Sequence, residues 1–214
     1  LNKCGSLITV KNRTMTVRGV EELKLQDYKV IPDRIEAGSY ILATMATKGR
    51  LKLNNFNPKD LALPLKLYKG MGLKIKKLSN TSYEIFCKTL KPIKKISTKE
   101  FPGYPTDLQA QLIATQLKSG LKSKVVENIF ENRFIHIPEL RRFGANLSIK
   151  GNTVTIDKTS NLLGAEVMAT DIRASFSLII AAMMSKGKTV INRIYHLDRG
   201  CLLYTSDAAD ETER

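Results

Sequence analysis

Pro105-Thr106-Asp107-Leu108-Gln109-Ala110-Gln111 opens a long apolar stretch, and two other segments open the same way. Pro32-Asp33-Arg34-Ile35-Glu36-Ala37-Gly38 comes before it, and Ala169-Thr170-Asp171-Ile172-Arg173-Ala174-Ser175 comes after it. In each, an aspartate leads into mostly apolar residues that end at a glycine: Gly49, Gly120 or Gly187. An apolar run follows each glycine, then a second short helical pattern closed by another glycine. Recurrence at roughly 65–75 residues marks one supersecondary unit copied along the chain. The copies put aspartates and arginines at equivalent positions, where a shared site can form.

Strands and hairpins fill the rest of each unit. Leu147-Ser148-Ile149 and Thr153-Val154-Thr155-Ile156 alternate apolar and polar residues around Lys150-Gly151-Asn152, a hairpin pattern. Leu7 to Val17 and Leu73 to Phe86 read the same way. Leu1-Asn2-Lys3-Cys4-Gly5, Tyr68-Lys69-Gly70-Met71-Gly72 and Leu140-Arg141-Arg142-Phe143-Gly144 each read as a last helical turn stopped by glycine. The first helix of each unit is apolar nearly all round; Ile172 to Met184 is the extreme case. Such a helix is buried on most sides, which predicts helices inside and sheets outside. Pro138 suits the first turn of the middle unit's second helix. Pro64 is expected to shorten or kink its counterpart.

The chain has 214 residues, 43% of them hydrophobic, so a sizeable core is available. Its longest uninterrupted apolar run, Leu178 to Met184, is far short of the ~20 residues of a membrane span. The formal net charge is +15. That fits a nucleic-acid or anionic-membrane surface, small anionic substrates, or lysines on solvated faces. Lys76-Lys77 and Lys94-Lys95 have no interleaved aromatics, which argues against nucleic acid. Cys4, Cys87 and Cys201 are odd in number and far apart, with no disulfide framework or metal spacing. His136 and His196 suggest no metal site. A reducing cytoplasm is the default.

Two classes of residue could carry chemistry. Asp33, Asp107 and Asp171 each precede a helix and, on position alone, read as helix N-caps. Phe130-Glu131-Asn132-Arg133-Phe134 and Tyr195-His196-Leu197-Asp198-Arg199-Gly200 are matching loops of the second and third units. Glu131 and Arg133 can be an exposed ion pair, or they can belong to an anion-recognition site. Arg34, Arg133, Arg173 and Arg199 all fall at loop-to-helix edges. There a planar guanidinium fork suits phosphate or carboxylate.

Five motifs then carry a specific resemblance: Val30 to Gly38, Tyr104 to Gln111, Phe130 to Phe134, Val167 to Ser175 and Arg193 to Gly200. Together they resemble the UDP-N-acetylglucosamine 1-carboxyvinyltransferase family of enolpyruvyl transferases over residues 1–200, in order and at the expected spacing. The sister family, which makes 5-enolpyruvylshikimate 3-phosphate, shares the fold but not these motifs. The resemblance implies an α/β (α+β) fold, an inside-out α/β barrel of repeated βαβαββ units. It implies transfer of the enolpyruvyl group of phosphoenolpyruvate to the 3-hydroxyl of UDP-N-acetylglucosamine with release of phosphate, the first committed step of peptidoglycan synthesis. No cofactor and no metal is implied. Asp107 matches the family's sugar-binding aspartate and general base. Ile129 matches a backbone contact to the UDP-sugar, and Arg199 an arginine that holds phosphoenolpyruvate. Arg173 matches an arginine tied to intermediate and product handling. Glu131, Arg133 and Asp171 match positions lining the same cleft.

The match also sets expectations about organisation. Residues 1–31 correspond to the tail of a first barrel and the crossover at Val30-Ile31-Pro32. Residues 32–200 correspond to a second barrel lacking its last helix and hairpin. Residues 201–214 read as a foreign tail, the translation of a sequencing adapter joined to a truncated gene. The family's proton-donating cysteine belongs to a first half that this chain does not carry, and none of Cys4, Cys87 and Cys201 matches it. The chain alone is therefore expected to be inactive, with the remaining half of the enzyme as its partner. A basic RNA- or anion-binding module is the reading from another class.

Overall fold

The computed structural model describes residues 1–198, apart from the side chains of His196 and Asp198. The chain divides into two compact units, Leu1–Pro32 and a second that begins at Asp33. The expected foreign tail, Arg199 and Gly200 lie outside the described residues.

The first unit holds one antiparallel hairpin, β1 (Leu7–Lys11) and β2 (Thr14–Arg18), paired in register from Leu7↔Arg18 to Lys11↔Thr14. A short 3₁₀ turn, Asn2–Cys4, precedes it and ends at Gly5, whose φ of 97° is the left-handed closure that glycine allows.

The second unit shows the repeat directly. Its middle copy runs β6 (Lys95–Ser97), α3 (Gln109–Gln116), β7 (Ser123–Val126), α4 (Ile137–Arg142), β8 (Leu147–Lys150) and β9 (Thr153–Ile156). The four strands form one sheet in the order β6-β7-β9-β8, with β6 parallel to β7 and the other pairs antiparallel. The copy before it has α1 (Arg34–Ala46), β3 (Arg50–Leu53), α2 (Ala62–Gly70), β4 (Leu73–Lys77) and β5 (Tyr83–Cys87), with sheet order β3-β5-β4. That is the middle sheet without its leading strand. The third copy gives β10 (Glu166–Met168), α5 (Ile172–Met184) and β11 (Val190–Asn192), with β10 parallel to β11. The register Lys150↔Thr153 leaves Gly151-Asn152 as a two-residue turn, and Gly151 takes the φ of 56° that such a turn requires.

Helices α1, α3 and α5 pack on one another. Every residue of α3 is buried, and α5 is buried on most sides. Burial of side chains such as Leu112 and Ile113, both at 0% exposure, contributes about 1.5–3 kcal/mol apiece before entropy is counted. Gly38 lets α1 approach closely: a Cβ there would lie 2.6 Å from a methyl of Leu108. Four polar residues of α3 are buried as well. Gln111 Nε2 donates to Ser39 Oγ, Thr115 Oγ1 donates to its own helix and to the Leu42 carbonyl, and Gln116 Oε1 accepts from Ile93 N and Ser123 Oγ. The fourth, Gln109, opens the helix.

Two local expectations are corrected. Pro64 falls in the first turn of α2 and not deeper in it. It is the third residue of that helix, where the backbone N–H has no intrahelical acceptor, and a 3₁₀ turn at Pro58–Leu61 leads in. Tyr195–Asp198, expected as loop, forms a short helix, α6. Among the described residues no helix is long and apolar enough to cross a membrane.

Candidate functional site

The three repeat aspartates have different duties. Asp33 caps α1: its Oδ1 accepts from the backbone N–H groups of Ile35 and Glu36. Asp171 caps α5 in the same way, through Arg173 N and Ala174 N. Asp107 does not cap α3, which corrects the positional reading. It lies inside a 3₁₀ turn, Thr106–Leu108, whose N-cap is Pro105. Its carboxylate instead meets two guanidinium groups. Arg133 Nη2 donates to Asp107 Oδ1 at 2.8 Å, and Arg173 Nε donates to the same oxygen at 2.5 Å. The arginines come from 26 and 66 residues away, on the loop after β7 and the first turn of α5.

This pair of contacts also corrects the exposed Glu131–Arg133 ion pair. Glu131 is exposed, and Arg133 turns away to Asp107 with its side chain at 17% exposure. Arg133 is also held over the Phe130 ring, 4.5 Å from its centroid. Of the four edge arginines, then, Arg133 and Arg173 converge. Arg34 goes elsewhere, over the Phe101 ring and toward the Asp60 carbonyl. Arg199 lies outside the described residues. A guanidinium has five donors, so Arg133 and Arg173 keep N–H groups for an anionic ligand while holding Asp107.

Beside the cluster lies a groove of about 770 Å³, lined by the loop from Glu127 to Ile135 and by the β8–β9 turn. Ile129, half-buried, sits on its wall with Glu131 and Arg133. His136 is buried at 2% exposure behind the loop. Burial pulls its imidazole down to about 4; Asp171 opposes the shift and Arg133 adds to it. Among the described residues no group of three His, Cys, Asp or Glu side chains is placed to hold a metal. Burial raises the Cys87 thiol, and its Sγ–H points to the Thr89 carbonyl.

One residue of the site has no signature in the sequence. Glu127, 2% exposed, follows the last residue of β7. Its Oε1 accepts from Thr98 Oγ1, Ile129 N and Phe130 N, and its Oε2 accepts from Thr106 Oγ1. A glutamate after a Val-Val strand reads as an exposed strand end. Only the distant hydroxyls show otherwise.

A model of the family described as EPSP synthase (3-phosphoshikimate 1-carboxyvinyltransferase) matches residues 1–206. The chain belongs to this family. Among curated relatives, the UDP-N-acetylglucosamine 1-carboxyvinyltransferase of Pelagibacter ubique (strain HTCC1062) is 49% identical over 199 residues, 92% of this chain and 47% of the relative. The protein of that name from Bartonella henselae is 44% identical over 204 residues, 94% of this chain and 47% of its own length. The chain spans about half the length of the curated relatives it matches. Among solved structures, the enolpyruvyl transferase NikO from Streptomyces tendae superposes with a TM-score of 0.82 at 24% identity, covering 98% of this chain and 50% of that one. EPSP synthase from Acinetobacter baumannii gives 0.70 at 14% identity, covering 98% and 52%. These two likenesses establish the family's mixed α/β fold for the chain. The relatives at 44–49% identity carry the name that the five sequence motifs suggested.

Proposed function

We propose that this chain works as part of a UDP-N-acetylglucosamine 1-carboxyvinyltransferase acting in the cytoplasm, and that its second unit is one of the enzyme's two inside-out barrels. The carrying observation is the carboxylate of Asp107 set between Arg133 and Arg173, away from the capping duty of its counterparts. The mutual packing of α1, α3 and α5 supports the barrel reading.

In this reading the 3-hydroxyl of the sugar binds at Asp107. Both arginine contacts fall on Oδ1, and Oδ2 accepts nothing among the described residues. Oδ2 is then the oxygen that takes the hydroxyl proton as the sugar oxygen attacks C2 of phosphoenolpyruvate. Arg133 and Arg173 fix the carboxylate and offer their other N–H groups to the negative charge of phosphoenolpyruvate and of the tetrahedral intermediate. Arg199 holds phosphoenolpyruvate, Ile129 contacts the UDP-sugar through its backbone, and Glu131 and Asp171 line the cleft. The other half of the enzyme supplies the proton donor to the methylene carbon, since catalysis needs every group placed together.

The test is steady-state kinetics of Asp107→Ala in a full-length enzyme containing this sequence, beside thermal melts. Loss of kcat with unchanged melting supports the reading; near-normal kcat sinks the general-base assignment. The 214-residue chain by itself should release no phosphate above background from the two substrates.

A further inference from the structure

Glu127 is a buried carboxylate that accepts from four donors on three separate segments. Thr98 follows β6, Thr106 opens the turn that carries Asp107, and Ile129 and Phe130 begin the groove loop. The donor directions are fixed. Thr98 Oγ1 accepts from Asn128 N at 2.8 Å, so its own proton goes to Glu127. Glu127 N is itself anchored to the Asn152 carbonyl, and Asn152 Nδ2 donates to Asn128 Oδ1. The carboxylate is therefore the point where the Asp107 turn and the wall of the groove are tied together. Glu127 is 2% exposed and both its oxygens already accept hydrogen bonds from the protein, which argues against a direct part in chemistry.

We propose that Glu127 is a positioning residue that sets two elements at once: the Asp107 turn through Thr106, and the Ile129–Phe130 backbone through their N–H groups. The proposal rests on the reading of Asp107 and Ile129 given above. Removing the carboxylate leaves two backbone N–H groups and two hydroxyls without their acceptor, so the loop and the turn must both relax. Glutamine keeps one oxygen for the Thr98, Ile129 and Phe130 donors. Its amide can donate to Thr106 Oγ1, which reverses as a hydroxyl can.

The test uses Glu127→Ala, Glu127→Gln and Thr106→Val. In the 214-residue chain, amide exchange is read at Ile129 and Phe130, with Val154 in β9 as an internal reference. In the full-length enzyme, kcat and the KM for each substrate are measured separately. Glu127→Ala should speed exchange at both loop amides about tenfold or more, raise KM for UDP-N-acetylglucosamine about tenfold and lower kcat. Glu127→Gln should recover most of both effects. Thr106→Val, which removes a single donor, should lower kcat about fivefold with little change in the KM for the sugar. Equal damage from the Gln and Ala variants would overturn the proposal, because charge and not geometry would then be at work. So would unchanged exchange in Glu127→Ala, or unchanged kcat in Thr106→Val should the Ala variant fail to fold. A normal kcat in Asp107→Ala would remove the catalytic reading while leaving the exchange result to stand or fall by itself.

Discussion

The starts of α1 and α5 and the start of α3 are the same sequence device put to different ends. At α1 and α5 the helix begins directly after the aspartate, and its carboxylate folds back onto the N–H groups two and three residues on. At α3 a 3₁₀ turn intervenes, and Leu108, fully buried, is driven against the face of α1 that Gly38 leaves open. Asp107 is itself part of that turn, and the extended capping position falls on Pro105, whereas Asp33 and Asp171 are the extended residues that precede their helices. Asp107 is thereby released to Arg133 and Arg173. An aspartate that does not cap its helix is left to other partners, while its counterparts hold helix N-termini.

That contrast can be broken most directly at Asp107. Asp107→Ala in the full-length enzyme should lower kcat by about a hundredfold or more, with melting little changed. Comparable kinetics for Asp33→Ala would erase the distinction. Next is the acid side of the stability profile, read by melts from pH 4 to pH 7. His136 faces Asp171, a cap, and Arg133, a partner of Asp107, and its pKa falls from 6.5 to about 4 on folding. The unfolded chain binds the extra proton in that window, so stability is complete above the unfolded value and declines as pH falls toward about 4, by on the order of 3 kcal/mol at most. His136→Gln should flatten the slope. Arg133→Ala should lower kcat/KM about tenfold, and Arg133→Lys should not restore it, because a single ammonium cannot hold Asp107, stack on Phe130 and face a ligand together. The smallest effect belongs to Asp33→Ala, a loss of about 1 kcal/mol in thermal or urea unfolding with turnover retained.

The repeat, the hairpins and the glycine-stopped turns were legible because each is written locally, in alternation, in Gly-Asn and in the glycine after a helical turn. The covered apolar helices were legible too, since a helix as apolar as Ile172 to Met184 has few polar positions to expose. The different duty of Asp107 was not. Pro-Thr-Asp before an apolar run is the same cue as Ala-Thr-Asp, and what separates them is Leu108 against Gly38, a contact across 70 positions. The arginines could be shortlisted as edge residues, but not sorted: Arg34 turns to Phe101 and Arg133 to Asp107 for reasons of tertiary packing. Glu127 was illegible for the same reason, its partners being hydroxyls from two other segments.

The buried polar residues of α3 have a consequence for the cleft. A wholly apolar helix inside a core can turn about its axis or slide at small cost, as one greased rod against others. Gln111 bonded to Ser39, Thr115 to the Leu42 carbonyl, and Gln116 to Ile93 and Ser123 act as index pins that fix the azimuth of the rod. Asp107 sits just beyond its end, so the aim of the carboxylate is set from deep inside, by side chains at 0–1% exposure. On the function proposed above, variation in those pins would shift the Asp107 carboxylate, and with it the reaction, while leaving the lining of the groove unaltered.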